Sequence, residues 1–229
     1  YRSRKKKGKT RYLFKPELKA LALRTGKTYV MQLPTIDKKK VSYFLDIESL
    51  PDEDFFYLFG IMLVKDNECH YIPFWSDTKG DELQSWKKAV DFLNTNISAP
   101  IYHYGSYEIK VFRRLSKKYN VDIEVTAQRF ININSFIYGK LYFPTYSNRL
   151  KELAEALGFA WSNSQSTGIQ SIIWRTNWEL NCKKYKEIIL TYNNEDCKAL
   201  QVLTDELIRI NNESETLEHI DFPDTQKNN

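Results

Sequence analysis

The sequence predicts an α/β domain in which a run of strands is followed by alternating helices and strands and closed by a long C-terminal helix. Three observations carry that reading. Residues 41–47, 55–64 and 69–75 are β-prone runs set close together, with the turn-like Lys65-Asp66-Asn67-Glu68 before the third. Such spacing gives an antiparallel meander. Residues 81–93 then repeat apolar side chains at helical intervals through Leu83, Trp86, Val90 and Leu93. Residues 183–210 do the same over a much longer span.

In chain order, residues 1–11 (YRSRKKKGKTR) hold seven basic residues and no acid. They read as a basic tail or linker, able to touch phosphates. The net charge is +5, but residues 12–229 hold 27 bases against 29 acids, so the body is not a strongly basic nucleic-acid reader. Residues 12–40 read as a short helical element, with a helix over 15–25, Pro16 in its first turn and Gly26 as its cap. The main domain opens at Val41 and runs to residue 211. Its first run is nearly continuous in apolar residues, as a central strand covered on both faces should be. A short strand over 100–104 precedes a helix over 106–119, with Val111 and Leu115 inward. Another helix spans 148–157, capped by Asn148 and stopped by Gly158. Residues 212–229 turn polar and acidic and read as a tail or outgoing linker. The order β-β-β-α-β-α with further helices is the pattern of a ribonuclease-H-like α/β domain.

Composition narrows the class. Aromatic residues make up 14% of the chain, which argues against disorder over most of its length. No apolar run approaches the roughly 18 residues of a membrane helix, and no secretory signal is visible. Cys69, Cys182 and Cys197 are too far apart for a C-x-x-C zinc pattern and odd in number. They read as reduced, buried thiols of a cytoplasmic protein that does not engage a membrane. The first residue is Tyr1 rather than Met, so the chain reads as part of a longer polypeptide.

The informative residues are acids in apolar places. Strand alternation puts Phe44, Asp46 and Glu48 on one face, the two carboxylates about 7 Å apart. They repel each other and are costly to desolvate unless a cation compensates them. The alternative is a strand that ends at Asp46 with both acids in solvent. In the last helix, Ile189, Tyr192, Asp196, Leu200, Leu203 and Leu207 form one inward stripe, so Asp196 takes a core position with Tyr192 one turn before it. Pairing with a Lys or Arg would also explain that Asp. Glu108 lies in the first turn of a helix, where acids favour the dipole alone. Together these acids are suited to hard divalent cations, Mg²⁺ or Mn²⁺, and two such ions can activate water against a phosphodiester.

These residues resemble the three exonuclease motifs of the DEDD superfamily: Asp46-x-Glu48, His103-x3-Tyr107-Glu108 and Tyr192-x3-Asp196. The final tyrosine is similar to the DEDDy subclass. The stretches FLDIES, YLFG, PFW, PIYHYGSYE, PTYSNRLKELAEALGF, Gly168-Ile169-Gln170-Ser171 and YNNEDC resemble the ribonuclease-H-like domain of RecB-family nucleases, the YprB-like group, over residues 41–210. The resemblance implies a mixed five-stranded sheet flanked by helices. It implies that Asp46, Glu48, Glu108 and Asp196 bind two Mg²⁺ or Mn²⁺ ions, with Tyr192 orienting the attacking water or assisting its deprotonation. The activity implied is phosphodiester hydrolysis on DNA or RNA, of 3′→5′ exonuclease type. Further nuclease or helicase domains of the same polypeptide are implied as partners.

Two departures stand beside that expectation. The family's second motif supplies Asp with an upstream Asn, whereas this chain has Glu108 and His103. A catalytically weak or inactive nucleic-acid-binding module is therefore the alternative. His103 is a candidate for a phosphate contact or for support of the site. Tyr146, Asn148, Arg149 and Lys151 are candidates to border the substrate cleft; a helix cap with a solvated basic face is the plainer explanation. Trp161 and Trp174 are candidates for base stacking or for core packing.

Overall fold

The architecture, a computed structural model describing residues 14–66, 68–163, 168–180 and 182–223, follows from where the apolar runs find cover. Helix α1 (Pro16–Thr25) begins on a proline, which needs no N–H partner there, and ends at Gly26 in the left-handed conformation (φ 70°). Strand β1 (Thr28–Val30) follows. Then come β2 (Val41–Leu50), β3 (Phe55–Lys65) and β4 (Glu68–Trp75). Helix α2 (Glu82–Leu93), β5 (Ile101–His103), α3 (Tyr107–Tyr119), the one-turn α4 (Glu124–Ala127) and β6 (Phe130–Asn132) complete the first half. Beyond lie β7 (Leu141–Tyr142), α5 (Leu150–Ala156), α6 (Gly168–Glu179), the 30-residue α7 (Lys184–Glu213) and β8 (Ile220–Asp221). The basic run at 1–11 and residues 224–229 lie outside the described residues.

The main sheet has the order β4-β3-β2-β5-β6, with β4, β3 and β2 antiparallel and β2, β5 and β6 parallel. It is the mixed five-stranded sheet flanked by helices that the resemblance implies. Strand β2 sits at its centre and is covered on both faces, which is why its sequence is nearly continuous in apolar residues. Tyr43, Leu45 and Ile47 pack with Trp86, Ala89, Val90 and Leu93 of α2 and with Val111, Phe112 and Leu115 of α3. Phe44 points the other way, into a cluster with Leu153 of α5 and Cys197, Leu200, Leu203 and Leu207 of α7. Asp46 and Glu48 continue the Phe44 face by strand alternation, so they look at α7.

The two ends of the chain depart from expectation. Strand β1 lies between β7, antiparallel, and β8, parallel, in a separate three-stranded sheet. Val30, Ile36 and Ile220 join the same core cluster as Phe44 and α7. Residues 14–40 are thus built into the domain rather than set before it, and residues 212–221 are not a tail. Strands of two or three residues are too short for a periodic pattern, so each looks like an isolated apolar residue in polar sequence. The cap of α5 also differs. The Oδ1 of Asn148 accepts from Lys19 Nζ (3.3 Å), while Glu152 accepts from the backbone N–H (2.8 Å) and hydroxyl (2.5 Å) of Ser147. Cys197 is buried, but Cys69 and Cys182 are exposed, and all three are free.

Candidate metal centre

Strand β2 runs unbroken past both of its acids to Leu50. Glu48 is buried at 7% exposure and Asp46 is half-buried, so the alternative of a strand ending in solvent at Asp46 does not hold. Asp196 approaches from α7. One carboxylate oxygen from each of Asp46, Glu48 and Asp196 lies within 4.8 Å of the others.

Such crowding changes their chemistry. Burial, followed by the charges of Asp196, Glu48 and Glu108, drives the Asp46 carboxyl well above the usual carboxylate range. Burial lifts Glu48 to about 7 against the opposing hydrogen bond from Ser171. Asp196 rises to about 6, again by burial, with the Trp161 and Tyr192 hydrogen bonds and the charge of Lys151 working the other way. Without a counter-charge, three carboxyls this close hold protons instead of ionising together. Oxygen donors at this spacing on two packed elements fit a hard divalent cation, which would replace those protons.

Neutral donors orient each acid. Asn193 Nδ2 donates to Asp46 Oδ2 (2.6 Å), Ser171 Oγ to Glu48 Oε2 (2.6 Å) and Trp161 Nε1 to Asp196 Oδ1 (2.8 Å). Asn193 and Ser171 were not among the expected site residues. The inward stripe of α7 is centred on Ile189, Asn193, Cys197 and Leu200, all at 1% exposure or less. Tyr192 and Asp196 lie half-buried on its flank. An Asn midway between Ile189 and Cys197 at four-residue steps was the signal available for it. Ser171 lies in α6, which opens on Gly168 and carries little amphipathic signal ahead of Trp174. The Tyr192 ring meets Trp174 edge-on at 5.9 Å, and its hydroxyl interacts with Asp196.

The other expected residues are distributed as follows. Glu108 is buried near the cluster but outside the three-acid group, and its Oε2 lies 3.1 Å from His103 Nδ1. That buried pair, with the His103 side chain only 3% exposed, uses His103 on Glu108 and leaves it no open path to a phosphate. Tyr146 is 89% exposed, and Arg149 is exposed at the start of α5. Asn148 is engaged with Lys19. Lys151 is the one basic candidate tied to the cluster: its Nζ lies 5.4 Å from the Trp161 ring centroid, and its charge acts on Asp196. Trp161 and Trp174 are both buried, as core packing requires.

Comparison with known proteins places these residues in a family context. A family model described as the RNase H superfamily matches residues 43–208, from within β2 to near the end of α7. That span includes Asp46, Glu48, Glu108, Tyr192 and Asp196. No curated protein matches the chain. Among the described residues, no helix is long and apolar enough to cross a membrane.

Proposed function

The chain belongs to the RNase H superfamily, and on that basis we propose that it is a metal-dependent nuclease that hydrolyses DNA or RNA, of the two-metal 3′→5′ exonuclease type. The observation that carries this reading is the meeting of three carboxylates from β2 and α7 within 4.8 Å. Asp46, Glu48 and Asp196 hold one divalent ion, Mg²⁺ or Mn²⁺, and Glu108 is the remaining acid on which a second would draw. Bound there, such ions neutralise phosphodiester oxygens and lower the pKa of water.

The chain's own residues do the rest. Ser171, Asn193 and Trp161 hold the three carboxylates in place, so little reorganisation is needed when substrate arrives. Burial and the neighbouring acids raise the Tyr192 phenol's proton affinity. Its hydroxyl, held beside Asp196, is placed to orient the attacking water or to assist its deprotonation. Lys151 brings positive charge to the edge of the cluster, where an incoming phosphate needs it.

Incubating the purified chain with 3′- and 5′-labelled single- and double-stranded DNA and RNA, in Mg²⁺ or Mn²⁺, tests the reading. Stepwise loss from the 3′ end is expected. Asp46→Ala and Asp196→Ala should each lower the rate by about 10³-fold or more, ~4 kcal/mol of transition-state stabilisation. Activity that survives in both variants, or none from the unmodified chain on any substrate, rejects it. The His103–Glu108 pair favours a second reading, a nucleic-acid-binding module with weak or no turnover. Mn²⁺ stoichiometry separates the two, because a catalytic site takes two ions and a relic one or none.

A further inference from the structure

Gly60 is the cross-strand partner of Asp46 in the β2–β3 ladder, and it is the position where β3 has no side chain towards α7. A Cβ built there would lie 1.5 Å from Asn193 Oδ1 and 2.9 Å from the Tyr71 hydroxyl. The notch is therefore filled by the amide of Asn193, which is fully buried. That amide has a defined orientation. Its Oδ1 accepts from the Tyr71 hydroxyl of β4 at 2.8 Å, and its Nδ2 donates to Asp46 Oδ2 at 2.6 Å. The Tyr71 phenol can donate or accept, so Asp46 decides the orientation: its ionised carboxylate only accepts, and turning Oδ1 towards it would lose that bond. The amino group also acts on Glu48, favouring its ionised form.

We propose that Asn193 is the positioning residue of the metal centre, its amide locked by Tyr71 and admitted by Gly60 so that it sets the orientation of the Asp46 carboxylate. This rests on the reading of Asp46, Glu48 and Asp196 as metal ligands. One amide thus reaches both acids of β2, and a neutral donor achieves this without competing with the cation as a lysine would. Groups that orient ligating side chains change metal affinity by about 10–100-fold when removed. Tyr71 acts only through Asn193, so its effect should be smaller and should vanish when Asn193 is gone.

Mn²⁺ binding by the intact chain at pH 8, read by electron paramagnetic resonance of the free ion, tests the chain of contacts. Asn193→Ala should weaken binding about 10–100-fold and Tyr71→Phe by about threefold to tenfold. The double variant should bind within about twofold of Asn193→Ala alone, the non-additivity expected of one linked network. Circular dichroism and thermal unfolding establish that each variant is folded. Mn²⁺ affinity in folded Asn193→Ala within twofold of the unmodified chain overturns the proposal, as do independent, multiplying effects of the two substitutions. If Asn193→Ala does not fold, Tyr71→Phe carries the test, and unchanged affinity there overturns it. Absence of Mn²⁺ binding by the unmodified chain overturns the metal-centre reading together with the positioning role. Normal binding that ignores Asn193 overturns the positioning role alone.

Discussion

Glu48 and Asp196 bind protons more tightly in the folded protein than in the unfolded chain, because burial strips water from both carboxylates. The sign of the linkage follows. A carboxyl whose folded pKa is raised adds stability that is complete below its unfolded pKa and is lost as pH rises through the folded value. For these two groups the window runs from about 4 up to about 6 for Asp196 and about 7 for Glu48. The metal-free protein should therefore unfold at a lower temperature at pH 8 than at pH 5. Mn²⁺ should raise the transition strongly at pH 8 and little at pH 5, where protons hold the site. A calorimetric transition that is flat across that range, or raised equally by Mn²⁺ at both values, would contradict the assignment. Gly60 gives a second residue-scale expectation. Gly60→Ala drives a methyl into Asn193 and should cost about 1–3 kcal/mol by overpacking. In an Asn193→Ala background the clash with Oδ1 disappears, so the same change should cost clearly less in denaturant titration.

Among the elements, α6 matters most to the site, because Ser171 reaches Glu48 from it. Its anchor is Arg175, which is fully buried with its guanidinium 4.4–5.2 Å from the ring centroids of Phe55, Tyr57, Trp75 and Trp178. The same group donates to the carbonyls of Ser76 (2.9 Å) and Asp77 (2.6 Å) and to Glu179 (2.7 Å). A planar fork stacked among rings cannot be replaced by an ammonium. Arg175→Lys should destabilise the protein by about 2 kcal/mol or more, and Arg175→Ala by about 3–5 kcal/mol, as read from chemical unfolding. With α6 loosened, Glu48 loses its serine. Helix α7 shows how far a pattern can be trusted. Its extent and inward direction were visible from three- and four-residue steps, but the centre of the stripe falls on Asn193 and Cys197, with Tyr192 and Asp196 beside it. A stripe drawn from sequence is about a third of a turn wide, and neighbours one position apart fall on either side of its axis.

At the scale of the whole molecule, the small β7-β1-β8 sheet ties residues 28–30 to residues 220–221 across the main core. The Thr28 amide donates to the His219 carbonyl at 2.8 Å, and Ile220 is buried beside Val30. Ending the chain at residue 216 should therefore cost about 2–4 kcal/mol and open the Thr28 amide to hydrogen exchange. An unchanged unfolding midpoint would mean that the second sheet contributes nothing to the fold. The sequence by itself determined strands β2 to β5, helices α1, α2, α3, α5 and α7, and the identity of the three clustered acids, but neither β6 nor α6. Those features are local: alternation along β2 and helical spacing along α7 each put an acid where apolar residues belong. Only the tertiary structure decided which neutral groups hold those acids. Asn193 meets Asp46 across 147 positions and Ser171 meets Glu48 across 123, distances over which periodicity carries no information. It also turned Glu108 towards His103, a contact only five residues long, because the direction of a side chain at a helix start is set by what packs over it. Local spacing specifies which face a residue shares; a hydrogen-bond partner is specified only once two faces have been brought together.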